Sequence, residues 1–162
     1  MAREQTQVPA MRLGLDIDGT ITRDPLRFAE IARSCMAAGG QVHIVTSRSE
    51  ASRSPTLDEL RGYRVPFTAI HFLGEMSRAA DACPHKSLDW FERYLWQKVA
   101  YATQHGLTHF IDDDSKVLSL FARFAPEVVA ISAGDDRIYR EPPAIDEIFS
   151  GQRTAVAGGV DD

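Results

Sequence analysis

Asp16 and Asp18 stand two residues apart where a short apolar run, Met11 to Ile17, meets Gly19 and Thr20. Two carboxylates that close repel each other, and near a core they also lose hydration, so the arrangement calls for positive charge beside it. A second apolar run, ending in Phe110 and Ile111, delivers three more acids, Asp112, Asp113 and Asp114. At an extended strand end Asp16 and Asp18 can lean to the same side, and Gly19 lets the backbone turn sharply after them. Joined by a carboxylate from Asp112 or Asp113, they make a set of hard oxygen ligands suited to magnesium, which takes one or two carboxylates together with phosphate oxygens and water. Each motif alone has a plainer reading. Asp16 would be the solvated cap of a turn, and the acid triplet an exposed turn or a helix N-cap supplied by Asp114 or Ser115. Two apolar strands that both run into acids at one edge favour the metal.

Other polar groups belong to the same edge. The run Val42 to Val45 ends in Thr46, Ser47 and Arg48. Hydroxyl residues are common at strand ends, but beside the acids Thr46 could donate to a phosphoryl oxygen, with Ser47 next to it. Arg48 could reach a second anionic group or stand as an ordinary exposed arginine. Lysine occurs only at Lys86, Lys98 and Lys116, so each position is informative. A helix from Lys98 to His105 descends about 12 Å, Gly106 turns the chain, and a strand from Leu107 to Ile111 climbs about 16 Å. Lys98 is thereby returned to the level of Asp112, whereas Lys86 overshoots and Lys116 lies on a helix leading away.

The elements that must position these groups alternate. Strands are expected at Arg12 to Asp16, Gln41 to Thr46, Phe67 to Leu73, Thr108 to Asp112 and Glu127 to Ile131, with helices between them, notably Leu26 to Ala38 and Ser115 to Phe124. Gly39 and Gly40 stop the first of these helices and Pro126 closes the second. Short β-branched strands alternating with amphipathic helices imply an α/β, Rossmann-like, doubly wound and mainly parallel sheet with helices on both faces, whose sites lie beyond the carboxyl ends of the strands.

The chain has 162 residues, 44% of them hydrophobic and 25% charged, ordinary values for one globular domain. A net charge of −5 argues against a broad nucleic-acid surface. Two cysteines, Cys35 and Cys83, make neither a disulfide framework nor a thiolate metal site. No stretch resembles a signal peptide or a membrane span, so the expectation is a cytoplasmic protein without a membrane partner. Residues 1–9 and the Gly-rich 151–162 are expected to be disordered ends of a domain over 10–150.

The motifs "DIDGT", "IVT", a lysine and "FIDDD", in that order, resemble those of the haloacid dehalogenase superfamily of phosphohydrolases across roughly residues 11–131. The resemblance implies a magnesium-dependent phosphomonoester hydrolase that works through an aspartyl-phosphate. Asp16 would be the nucleophile and Asp18 the general acid/base, its proton retained through the like charge of Asp16. Thr46 and Ser47 would bind the phosphoryl group, and Lys98 would hold phosphate and restrain Asp16. Asp112 and Asp113 would complete the magnesium site with Asp16 and the backbone carbonyl of Asp18.

Members of that family often carry a cap domain, but the interval between the first two motifs holds only a turn and a helix, which implies a capless type. The surplus lies at residues 74–97, where aromatic residues crowd. They would pack as a helix on the core or on a second copy in a homodimer, or form a small lid or side wall in which Trp90 and Trp96 touch substrate. An open site admits bulky substrates, a polynucleotide end among them, and the acidic net charge tilts the expectation toward a small phosphorylated metabolite or nucleotide. Two rivals of another class are a receiver-like phosphoacceptor and a catalytically idle scaffold. In a receiver the lysine follows the acids, whereas Lys98 precedes Asp112.

Overall fold

In the computed structural model, residues 9–135 are described. The ends expected to be disordered, 1–9 and 151–162, lie outside that range except for Pro9. Five strands and five helices follow in the order β1 (Arg12–Leu15), α1 (Pro25–Ala37), β2 (Gln41–Thr46), α2 (Arg53–Gly62), β3 (Ala69–Phe72), α3 (Met76–Ala82), α4 (Trp90–Gln104), β4 (His109–Asp112), α5 (Ser115–Phe124) and β5 (Val129–Ser132). All strand pairs are parallel, in the order β3-β2-β1-β4-β5. The sheet is the expected open, Rossmann-like one, and the described residues include no cap domain.

Side-chain alternation builds a core on each face. Leu13 and Leu15 of β1 join Val42 and Ile44 of β2 under Phe28 and Ala32 of α1 and Leu60 of α2. Val45 and Phe110 point the other way, against Leu95 and Val99 of α4 and Phe121 of α5. Gly14 is the smallest residue of β1 because the Phe110 ring lies against it, where a Cβ would stand 2.7 Å from ring carbon Cε2. Cys35 and Cys83 are both buried and unbridged. No helix among the described residues is long and apolar enough to cross a membrane.

Element boundaries differ from expectation where local hydrogen bonds intervene. β1 stops one residue early, although the Asp16 amide still donates to the Ile111 carbonyl at 3.1 Å, because the chain then closes a turn on Ile17. β5 starts two residues late because Val128 donates back to Ala125 and finishes the exit from α5. The segment 74–97 is not one helix. It holds α3, a short connection and the first half of α4, whose start is a capping box between Asp89 and Glu92.

Candidate active site

Strand order decides which acids meet. β1 and β4 are neighbours, with Leu15 beside Ile111, and the chain reverses its winding direction between them, where open α/β sheets form their crevice. Asp16 and Asp112 therefore emerge side by side at the carboxyl edge, with Asp113 next to them. Carboxylate oxygens of Asp16, Asp112 and Asp113 lie within 4.8 Å of one another. Asp113 can come this close because Gly19, at φ 80°, has no Cβ, and one there would collide with the Asp113 carboxylate. Asp114 takes the other role considered for the triplet. It caps α5, its side chain accepting from the Lys116 amide at 2.9 Å.

Lys98, on the inward face of α4, donates to Asp16 Oδ1 at 2.9 Å and to Asp112 Oδ2 at 2.7 Å. All three groups are nearly sealed from solvent, at 3%, 4% and 1% exposure. The second Asp16 oxygen accepts from the buried Thr20 hydroxyl at 3.2 Å, and Asp112 Oδ1 accepts from the Asp114 amide at 2.9 Å. Burial, then the neighbouring Asp112 charge, pushes the Asp16 carboxyl up to about 7 against the pull of Lys98. Asp112 is raised by burial as well. Lys98 is held above the usual lysine range: burial works against its charge, and the Asp112 and Asp16 carboxylates outweigh it. Two buried carboxylates thus share one ammonium, with the exposed Asp113 carboxylate close to both. That shortage of positive charge, with oxygen donors only, fits a hard divalent cation such as magnesium.

Asp18 has different surroundings. Its side chain is 58% exposed and accepts both arms of the Arg48 guanidinium, at 2.9 and 2.7 Å. Arg48 also donates to Glu59 at 2.6 Å and to the buried Thr56 hydroxyl at 3.2 Å, both on α2. Hydrogen bonding from Arg48 leads the causes that lower the Asp18 carboxyl, outweighing its partial burial. The expectation that Asp16 keeps Asp18 protonated is overturned: the Arg48 fork is nearer and of opposite sign. Arg48 itself is no freely exposed arginine.

Thr46 is buried, and its hydroxyl accepts from the Arg48 amide at 3.1 Å, which leaves its own proton free to donate outward. Ser47 is exposed beside it, its carbonyl accepting from the Tyr94 hydroxyl at 3.1 Å. The carboxylate trio excludes the Asp18 side chain. Trp90 and Trp96 are not brought to the carboxylates. Trp90 is the exposed first residue of α4, whereas Trp96 packs on the core and lies two residues from Lys98, over half a turn around the helix. Sequence reasoning missed Thr20, Thr56, Glu59 and Tyr94. Thr20 lay inside the quoted first motif, and Tyr94 precedes Lys98 by four residues, a spacing that shares a helix face. Nothing local marks Thr56 and Glu59, because their role depends on where Arg48 points.

The sequence matches no protein-family model and no curated protein. Among solved structures the fold resembles chains of the Pnkp1/Rnl/Hen1 RNA repair complex in two structures, at TM-scores of 0.51 and 0.50 and identities of 15% and 16%. Each alignment covers 81% of this chain and under half of the other, 44% and 48%. A Bacillus subtilis protein described as a candidate p-nitrophenyl phosphatase overlaps more loosely, with a TM-score of 0.35 and 18% identity over 89% of this chain and 65% of that one. The two likenesses to the RNA repair complex place the chain among parallel α/β folds.

Proposed function

We propose that the chain is a magnesium-dependent phosphomonoester hydrolase of the capless haloacid dehalogenase type, acting on a small phosphorylated metabolite or nucleotide. The observation that supports this most is a buried lysine bonded at 2.9 and 2.7 Å to carboxylates from adjacent strands, with a third carboxylate in reach of both.

Asp16 is the nucleophile. Lys98 and Thr20 each hold one of its oxygens, which fixes the carboxylate at the strand end and limits the reorganisation needed for in-line attack. An Asp16 oxygen bonds to phosphorus as the ester P–O bond breaks, and Asp18 gives its proton to the departing alcohol oxygen. Water then attacks the phosphorus, Asp18 takes a proton from it, and inorganic phosphate leaves with Asp16 restored. Asp18 can carry that proton only when the Arg48 fork releases it, and the freed guanidinium can then meet a phosphoryl oxygen. Thr46 and Ser47 donate to the phosphoryl group from the adjacent strand end, and Lys98 keeps positive charge beside it. Asp16, Asp112, Asp113 and the Asp18 carbonyl would hold magnesium, which supplies charge stabilisation to the equatorial oxygens when bound.

The test is turnover of aryl, alkyl, sugar and nucleoside phosphates in magnesium. A 3′-phosphorylated oligonucleotide has a place in that panel because the fold neighbours belong to an RNA repair complex. Asp16→Asn is expected to lower turnover by about 10⁴-fold. No hydrolysis of any phosphate by the unaltered chain, with correct folding shown by circular dichroism, would sink the proposal.

A further inference from the structure

Beside Ser47 a cavity of about 590 Å³ opens at the edge that carries the carboxylates. Its size falls in the range of sites for small organic molecules. Phe72 and Leu73, at the end of β3, meet Met76 of α3 and Tyr94 of α4 to form an apolar lining. Tyr94 and Lys98 are four residues apart on α4, so they share a face, and Tyr94 stands about 6 Å farther out along the helix. Lys98 touches Asp16, and Thr46 ends the strand next to that of Asp16, about 5 Å across the sheet. The cavity therefore lies at the same sheet edge as the nucleophile, on the side of β2 and β3, where Ser47 borders it.

The rim has a definite charge. Among the described residues Glu50 and Glu75 line it, and no lysine or arginine does. Arg53 stacks 4.7 Å over the Phe72 ring, but its guanidinium is held by both Glu50 oxygens. Arg78 reaches Glu75 only at 3.9 Å. An anion entering here would find both nearby arginines already engaged by Glu50 and Glu75 and no free cation among the described lining residues to offset its desolvation, whereas an apolar group would meet two aromatic rings, Leu73 and Met76.

Building on the phosphomonoesterase reading, we propose that this cavity receives the alcohol part of the substrate, an uncharged group with an extended apolar face and no second anionic group. A nucleoside or aryl monophosphate meets that description. A polynucleotide end does not, because its next phosphodiester would enter a largely apolar cavity whose neighbouring arginines are engaged by Glu50 and Glu75.

Steady-state kcat/KM of the full chain in magnesium tests this with phenyl phosphate, 1-naphthyl phosphate, 4-carboxyphenyl phosphate and a 3′-phosphorylated dinucleotide. The second naphthyl ring is expected to raise kcat/KM about ten-fold over phenyl, the gain a hydrophobic pocket typically gives. The carboxylate is expected to lower it below phenyl. Met76, 41% exposed, can be changed without opening the core. Met76→Glu is expected to lower the naphthyl-to-phenyl ratio about ten-fold and Met76→Leu to keep it, and a ratio of rates does not depend on how much protein is folded. Glu50→Gln with Glu75→Gln is expected to restore 4-carboxyphenyl phosphate toward phenyl. Equal use of naphthyl and phenyl phosphates, a ratio indifferent to Met76→Glu, or preference for the dinucleotide would each overturn the cavity assignment while leaving the phosphatase standing. Failure to hydrolyse any of the four would instead overturn the phosphatase reading, and this one with it.

Discussion

Asp16 and Asp18 have the same side chain two residues apart, yet one is buried with a lysine and the other lies on an exposed rim with an arginine. Around Asp16, removal of water dominates, so its carboxyl rises despite the ammonium it touches. Around Asp18, water remains and the bidentate guanidinium decides, so the carboxyl falls. A compact, flexible ammonium suits the narrow gap between two strand ends, and a planar fork suits a rim where one group must span β1 and α2. The inner pair is built to stay in place. The outer pair is solvated and so can be exchanged for other partners at little cost.

Breaking the inner pair should have the largest effect. Lys98→Met leaves Asp16 and Asp112 buried without a counter-charge, a change that typically costs about 3–5 kcal/mol. In urea unfolding without metal the loss should be greatest at neutral pH and shrink on acidification, when the carboxylates take up protons. A loss equally large at acidic pH would mean that packing, rather than charge, makes Lys98 important.

The same region sets the next expectation, on the order of a few kcal/mol in the opposite direction. Between the ordinary value of 3.8 and about 7, the folded protein holds a proton on Asp16 that the unfolded chain has released. Metal-free wild type therefore loses Asp16-linked stability as pH rises through that window. Asp16→Asn cannot ionise, so its stability advantage over wild type should grow from the lower pH to the upper and then level off. Magnesium should erase the advantage by stabilising only the wild type. Burial lowers His43, His71 and His109, and their contribution cancels in the difference between the two proteins.

The outer pair can be weakened without touching Asp18. Glu59→Gln removes the second carboxylate from Arg48 and is expected to lower kcat/KM by about ten-fold on alkyl phosphates, which need a proton on the leaving oxygen. With p-nitrophenyl phosphate, whose leaving group departs as the anion, little change is expected. An equal loss on both substrates would remove Asp18 from the proton-transfer role. The smallest effect belongs to Trp90→Ala, a surface change expected to stay within about 0.5 kcal/mol of wild-type stability, with unaltered substrate ratios. A shift in substrate preference would instead place Trp90 at the substrate.

Much of the inner site was legible in the linear chain because its residues are bound to strand ends by short, rigid spacings. Asp16 follows β1 directly, Asp112 ends β4, and the distance down a helix and up a strand returned Lys98 to their level. Gly19 was readable for the turn it permits, though its clearance for Asp113 was not. The outer site was illegible for an equally physical reason. Arg48 has a long side chain at a loop position, and whether it points to solvent, to phosphate or to Asp18 depends on α2, whose Thr56 and Glu59 approach it only after β2 and β1 are paired. The aromatic segment misled because composition identifies rings without saying which side of a helix they occupy. Two residues from Lys98, Trp96 turns to the core, whereas Tyr94, four residues away, stays on the active face.

By itself the sequence determined the alternation of strands and helices, the parallel sheet, and the gathering of Asp16, Thr46, Lys98 and Asp112 at one edge, because periodicity and strand polarity are local properties that survive in any packing of these elements. Tertiary structure alone decided that Asp16 is dry and Asp18 wet, that Arg48 restrains Asp18, and that Tyr94 and Met76 border a cavity. Burial, charge pairing and concavity arise only when distant elements meet, and in this chain they give two neighbouring aspartates opposite characters.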